Sequence, residues 1–234
     1  MFFLIPLSFG IISLFPFLYF RVKEKRVIAV YFKAFVSLMF ILTALIAGLH
    51  SKIHFNVYIL IGLFFGLLGD VFLDLKYIVT NKEDFYTKLG FISFAFGHLC
   101  YLLGLLLYQY DYSKSSPLYY VIPIIVTLIL SGVTLLMEKV TPIRYKKMKP
   151  FVVIYGLFLF FTTSMYMSVA IQSGFSNTTV VIMAFALILF MISDLILNNT
   201  YFSNGCNTPI FVISNHVTYY IAQFLIAVSL FFLI

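Results

Sequence analysis

Long apolar runs alternate with short breaks of charged or turn-forming residues along the whole chain. Segmenting at those breaks gives eight candidate helices, at residues 2–20, 27–48, 56–78, 86–108, 117–137, 151–171, 178–198 and 210–233. Most have the roughly 20 residues that a hydrocarbon core requires. The breaks are short except the fifth and the seventh, about twelve and eleven residues long. Short links favour antiparallel neighbours. The pattern therefore predicts an all-α polytopic membrane protein, a single bundle of eight transmembrane helices forming one domain over residues 1–234.

Composition agrees with that reading. Only 10% of the 234 residues are charged and 63% are apolar, with a mean hydropathy of +1.08. A soluble domain carries about 25% charged residues to cover its surface. This excludes a soluble enzyme, a disordered tail, a disulfide scaffold and an ordinary nucleic-acid binder. Cys100 and Cys206 form no ligand pattern. The opening segment MFFLIPLSFGIISLFPFLYF lacks a basic start and a small-residue cleavage site, so it is expected to be a retained first helix.

The net charge of +7 reports direction across the membrane rather than an anionic partner. Arg21, Lys23, Lys25 and Arg26 fall at the first connection, and Lys76, Lys82 and Lys88 at the third. Lys139, Arg144, Lys146, Lys147 and Lys149 fall at the fifth. Against these twelve stand Lys52 and Lys114 on the other side. The bias places connections one, three, five and seven in the cytoplasm and both termini on the non-cytoplasmic side, the uncharged seventh adding nothing to the count. It also accounts for the lysines at 139–149 without a ligand.

Ionisable groups inside the apolar spans are few: Lys33, Asp70, Asp74, His98, Asp194 and His216, with Asn198, Asn215 and Gln223 as neutral companions. A charge near the bilayer centre costs several kcal/mol, so such groups face the bundle interior and mark sites. Counting from the expected helix ends, Lys33 lies about 9 Å deep at 1.5 Å per residue. Asp70, Asp74, Asp194 and His216 also fall in the cytoplasmic half, and His98 near mid-membrane. Five helices thus supply one pocket.

Each residue has a plainer rival. Gly62, Gly66 and Gly69 allow the close packing that brings Asp70 inside, where it serves as a site carboxylate or as a structural partner of Lys33. Asp74, one turn on, is a site group or a rim charge beside Lys76. Ser193 and Asp194 sit near the end of an apolar helix, where solvation explains neither. His98, one turn before Tyr101, is a site group or one half of an interhelical hydrogen bond. Lys33 is a counter-ion or a phosphate contact, or it snorkels to the interface. His216 and Tyr220, four apart, share a face that lines the pocket.

The ordered set GLLGDVFLDL (66–75), FGHLCY (96–101), FMISDLIL (190–197) and HVTYYIAQFLI (216–226), with Lys33 early in the second helix, resembles the YhhN family of membrane proteins, whose members include lysoplasmalogenases. The resemblance runs from about residue 28 to the end of the chain. It implies hydrolysis of a lysoplasmalogen vinyl ether to a fatty aldehyde and glycerophosphoethanolamine or glycerophosphocholine. It places the essential aspartates on Asp70 and Asp194, the histidine on His98 and the helix-two lysine on Lys33. This chain has FKA where many relatives have Lys, a small residue and Pro, which removes a kink rather than a reacting group.

A vinyl ether is stable at neutral pH but yields to acid. A proton adds to the β carbon, water adds to the oxocarbenium ion, and the hemiacetal collapses. That chemistry calls for one protonated and one ionised carboxyl, as paired acids provide. Asp70 and Asp194 are expected to share one proton, with either as the acid, and His98 to orient or relay. Lys33, Asp74, Tyr101, Ser193, His216 and Tyr220 are expected to bind or tune. No cofactor or metal is expected. The expected partner is a lysophospholipid drawn from the membrane, with no nucleic acid and no obligate protein partner. Richness in Phe, Ile, Lys, Asn and Tyr suggests a bacterial inner membrane. A small proton-coupled transporter, or a non-catalytic protein fastened by the same groups, stays open.

Overall fold

A computed structural model describes residues 1–50, 55–108, 117–203 and 207–233. Lys52, Lys114 and Cys206, used above for charge bias and cysteine pattern, lie outside the described residues. The described residues form eight long helices: α1 Leu4–Val22, α2 Arg26–Ala47, α3 Phe55–Leu75, α4 Glu83–Tyr108, α5 Leu118–Val140, α6 Lys149–Gln172, α7 Thr178–Phe202 and α8 Pro209–Ser229. All eight are long and apolar enough to cross a bilayer.

Neighbours in sequence pack as pairs, α1 on α2, α3 on α4, α5 on α6 and α7 on α8. Contacts of α4 with α6, α6 with α7, and α2 with both α3 and α8 join the pairs into one bundle. Most of α1 and α5 faces outward, whereas α4 and α6 are the most enclosed. The α3–α4 pair is the tightest, and its glycines are the reason. A Cβ at Gly62 would fall on the Tyr101 ring, and one at Gly69 on Phe94. At these points a ring of α4 occupies the space that a side chain on α3 would take.

Helix ends differ from the pattern in two places that matter. α1 runs on to Val22 rather than stopping at residue 20. It closes with Lys25 N–H bonded to Phe20 C=O (2.9 Å) and Glu24 N–H to Arg21 C=O (3.2 Å), with Glu24 at φ +54°. This double cap turns the chain back while keeping Arg21 on the helix. α7 continues through LNNTYF to Phe202, one turn beyond the expected 198, and carries Tyr201 inward. The seventh connection is correspondingly shorter.

The ends joined by connections one, three, five and seven gather at one pole of the bundle. Arg21 meets Asp74, Arg26 donates to Tyr77 C=O (3.1 Å), and Arg144 N–H donates to Phe202 C=O (2.8 Å). Twelve of the fifteen basic residues belong to this pole, called the basic end below.

Candidate active site

Four charges close up between α1, α2 and α3. Lys33, 4% exposed, places Nζ 3.3 Å from Asp70 Oδ1 and 3.1 Å from Asp74 Oδ1. Arg21 pairs with the other oxygen of Asp74. Two cations and two carboxylates balance, which is how charges survive burial. Lys33 does not snorkel to the surface; it turns inward as the counter-ion of both aspartates. Asp74 is no rim charge, being 1% exposed.

Asp70 is further held by hydroxyls. Ser37 Oγ donates to Asp70 Oδ2 at 2.6 Å, and the Tyr219 hydroxyl donates to the same oxygen at 2.9 Å. Gln223 Nε2 donates to the Tyr219 hydroxyl at 2.9 Å. The Tyr220 hydroxyl lies 3.3 Å from Ser37 Oγ and 3.3 Å from Lys33 C=O. The Tyr220 ring packs edge-on against Phe17, as does the His216 ring. His216 and Tyr220 thus share the face expected of them. His216 lines a polar cleft of about 190 Å³ that opens at the basic end, with Arg21, Arg26, Asp74, Tyr77 and Asn215.

Asp194 lives differently. Its one hydrogen-bond partner among the described residues is the Tyr155 hydroxyl of α6. Tyr155 and Asp194 line a largely apolar cavity with Phe91, Val152, Leu159 and Tyr201. Tyr155 and Phe91 also line an apolar groove with Ile92, Phe96, Phe151 and Phe158. One residue earlier, Ser193 and Asn215 clasp α7 to α8: Asn215 Nδ2 donates to Ser193 C=O (2.8 Å) and Oγ (2.9 Å), and Ser193 Oγ donates to Asn215 C=O (3.1 Å). Ser193 fixes the helix that carries Asp194.

No hydrogen bond joins Asp70 to Asp194 among the described residues; an aromatic wall stands between their tyrosines. Phe94 contacts both Tyr155 and Tyr219, at centroid distances of 6.2 and 6.0 Å. Phe190 lies 5.2 Å from Tyr219 and 4.9 Å from His98. His98, 1% exposed, packs against Tyr155 and Tyr101 at 5.8 Å and hydrogen-bonds neither aspartate. Neither of its ring nitrogens has a hydrogen-bond partner among the described residues, nor has the Tyr101 hydroxyl. Its backbone C=O accepts from Thr162 Oγ1 at 3.2 Å, so the interhelical link at this position is made by the main chain.

The site therefore splits in two. Lys33, Asp70, Asp74 and Tyr220 come together, with His216 along the adjoining cleft. Asp194, His98 and Tyr101 gather around Tyr155. Sequence reasoning missed Arg21, Ser37, Tyr155, Tyr201 and Tyr219. Ser37 follows Lys33 by four residues, a spacing that puts both on one helix face. Tyr155 and Tyr219 carry no such signal among seventeen tyrosines.

Among the described residues, no three His, Cys, Asp or Glu side chains gather as metal ligands do. Outside the spans, burial holds the Lys76 ammonium down to a pKa of about 7, against the opposing pull of Glu83 and Asp74. Burial likewise raises the Tyr77 and Tyr145 phenols.

Comparison with curated proteins and with solved structures finds no match. The model of the YhhN family matches residues 28–230, a span that takes in the charge cluster, apart from Arg21, and the whole Asp194 cavity. The chain belongs to the YhhN family.

Proposed function

We propose that the protein is a lysoplasmalogenase, which adds water across the vinyl ether bond of a lysoplasmenyl phospholipid to release a fatty aldehyde. Family membership supports this reading. The observation that carries it is the contrast between two enclosed carboxyls. Asp70 faces an ammonium and accepts two hydroxyl hydrogen bonds, contacts that each favour the ionised carboxylate. Asp194 meets one hydroxyl beside an apolar cavity and no cation among the described residues, which favours the neutral acid.

In this proposal the alkenyl chain lies in the apolar groove that Tyr155 and Phe91 share with the Asp194 cavity. Asp194 gives its proton to the β carbon, and the α carbon and ether oxygen share the resulting positive charge. The Asp194 carboxylate then takes a proton from water as the water oxygen bonds to the α carbon. The hemiacetal collapses: the glycerol oxygen leaves with the proton from Asp194, and the hemiacetal hydroxyl returns its proton to the carboxylate. Atoms balance, and Asp194 ends as it began. Tyr155 steadies Asp194 in both states. Asp70, set apart by Phe94 and Phe190 and paired with Lys33, turns its dipole with that lysine toward the cation and holds Tyr219 in the wall. The acids thus act in separate roles rather than sharing one proton.

The test is aldehyde release from lysoplasmenyl-ethanolamine and lysoplasmenyl-choline by protein purified in mild detergent. Run in heavy water, the reaction should place deuterium on the carbon next to the aldehyde carbonyl. A folded protein that releases no aldehyde from either lipid would overturn the proposal.

A further inference from the structure

Lys76 sits one residue past the end of α3, where a lysine ordinarily reaches into water. Here it is 6% exposed, and among the described residues no carboxylate lies within ion-pair distance of it. Its ammonium is 3.2 Å from the centre of the Tyr201 ring and 4.9 Å from that of Tyr77. Cation–π contacts offset part of the cost of burying a charge, but they leave the ammonium protons without an anion.

The same lysine borders a cleft of about 500 Å³ at the basic end, with Lys146 and Lys147 on another wall. The start of α4 and the turn leading into α6 also line it, through Glu83, Asp84, Thr87 and Met148. Helix N-termini add partial positive charge. Glu83 and Asp84 stand on the α4 side. The cleft thus has a cationic wall and an acidic rim. The neighbouring cleft beside Asp74 offers less to an anion: Arg21 is committed to Asp74, and Arg26 to the Tyr77 carbonyl. Arg144 is occupied too, by the carbonyls of Glu138, Thr141 and Ile143 at 2.6–2.7 Å.

Tyr201 and Phe202 line both the Lys76 cleft and the Asp194 cavity. We infer that the Lys76 cleft is the headgroup subsite, taking a zwitterionic phosphodiester with its phosphate on Lys76, Lys146 and Lys147 and its ammonium on Glu83 and Asp84. The identity of the ligand as a lysophospholipid headgroup rests on the hydrolase reading. The phosphate contact itself does not. Lys76 acts on binding rather than on the reacting atoms, so its loss falls on KM.

Thermal melting in detergent tests this, with glycerophosphoethanolamine, glycerol 3-phosphate and inorganic phosphate as probes. Glycerophosphoethanolamine should raise the melting temperature of the native protein. That shift should shrink in Lys76→Gln and also in the exposed pair Lys146→Gln/Lys147→Gln, which leaves the buried stack intact. Glu83→Gln/Asp84→Asn should narrow the advantage of glycerophosphoethanolamine over glycerol 3-phosphate. On lysoplasmenyl-ethanolamine, the Lys146→Gln/Lys147→Gln protein should show KM raised about tenfold, with kcat unchanged within about twofold.

Inorganic phosphate giving the whole shift would overturn the headgroup assignment in favour of a free-phosphate site. Hydrolysis with KM and melting shift unchanged in both lysine variants would overturn the subsite and leave the hydrolase standing. Lys76-dependent binding of glycerophosphoethanolamine without hydrolysis would do the reverse.

Discussion

Asp70 and Asp194 both lie in the half of their helices toward the basic end, yet one is surrounded by donors and the other by carbon. Asp70 has Lys33, Ser37 and Tyr219; Asp194 has Tyr155 and an apolar cavity. The difference follows from which elements meet each residue. Asp70 faces α2 and α8, which bring a lysine, a serine and a tyrosine to it. Asp194 faces α6, whose contacting stretch VVIYGLF offers one hydroxyl. In the proposed mechanism, the polar surroundings of Asp70 hold a fixed charge and the apolar surroundings of Asp194 store the proton.

The comparison breaks first at Asp194. Asp194→Asn keeps the shape but has no proton to give, and aldehyde release should fall about 1000-fold or more. Tyr155→Phe, which removes the one hydrogen bond, should cost about tenfold to a hundredfold in kcat. Equal losses in the two would show that Tyr155 is itself the donor.

Asp70→Asn should also lower activity, but with a second signature that Asp194→Asn lacks. Removing Asp70 leaves Lys33 under-compensated in the interior, a loss on the order of 3 kcal/mol. The double variant Lys33→Met/Asp70→Asn should recover much of the melting temperature and none of the activity. If the single and double variants melt alike, Lys33 and Asp70 are not coupled as described.

Smaller effects sharpen the picture. Ser37→Ala and Tyr219→Phe each delete one hydrogen bond to a carboxylate and should cost about 1–2 kcal/mol of stability, read by thermal melting, with activity down only a few-fold. Lys76 gives the smallest change. As pH rises through about 7 its ammonium loses its proton, so glycerophosphoethanolamine affinity should fall a few-fold. Glu83 and Asp74 work to hold that proton, while Lys33 and Arg21 favour its release. Lys76→Arg should abolish this pH dependence, because arginine stays charged.

The eight spans were legible because a bilayer demands about 20 apolar residues in a row, and few other patterns imitate that. Their ends were less so. LNNTYF reads as the start of a loop, yet α7 keeps it helical and Tyr201 becomes the wall shared by three cavities. Lys33 and Asp70 announced themselves as charges inside apolar runs. Arg21 and Lys76 did not, since each sits at a helix end where positive charge reports only direction across the membrane. The partners that set the character of each carboxyl, Tyr155 and Tyr219, are tyrosines in a tyrosine-rich chain. Only three-dimensional packing singles them out, and His98 shows the converse: a conspicuous histidine that hydrogen-bonds neither carboxylate.

The division between the two carboxyls can be read without any substrate. Infrared difference spectra at neutral pH distinguish the carbonyl stretch of a protonated carboxylic acid from the bands of a carboxylate. The native protein should show the protonated band, Asp70→Asn should keep it, and Asp194→Asn should lose it. A band that survives Asp194→Asn and disappears in Asp70→Asn would contradict the account by placing the stored proton on the other side of the aromatic wall.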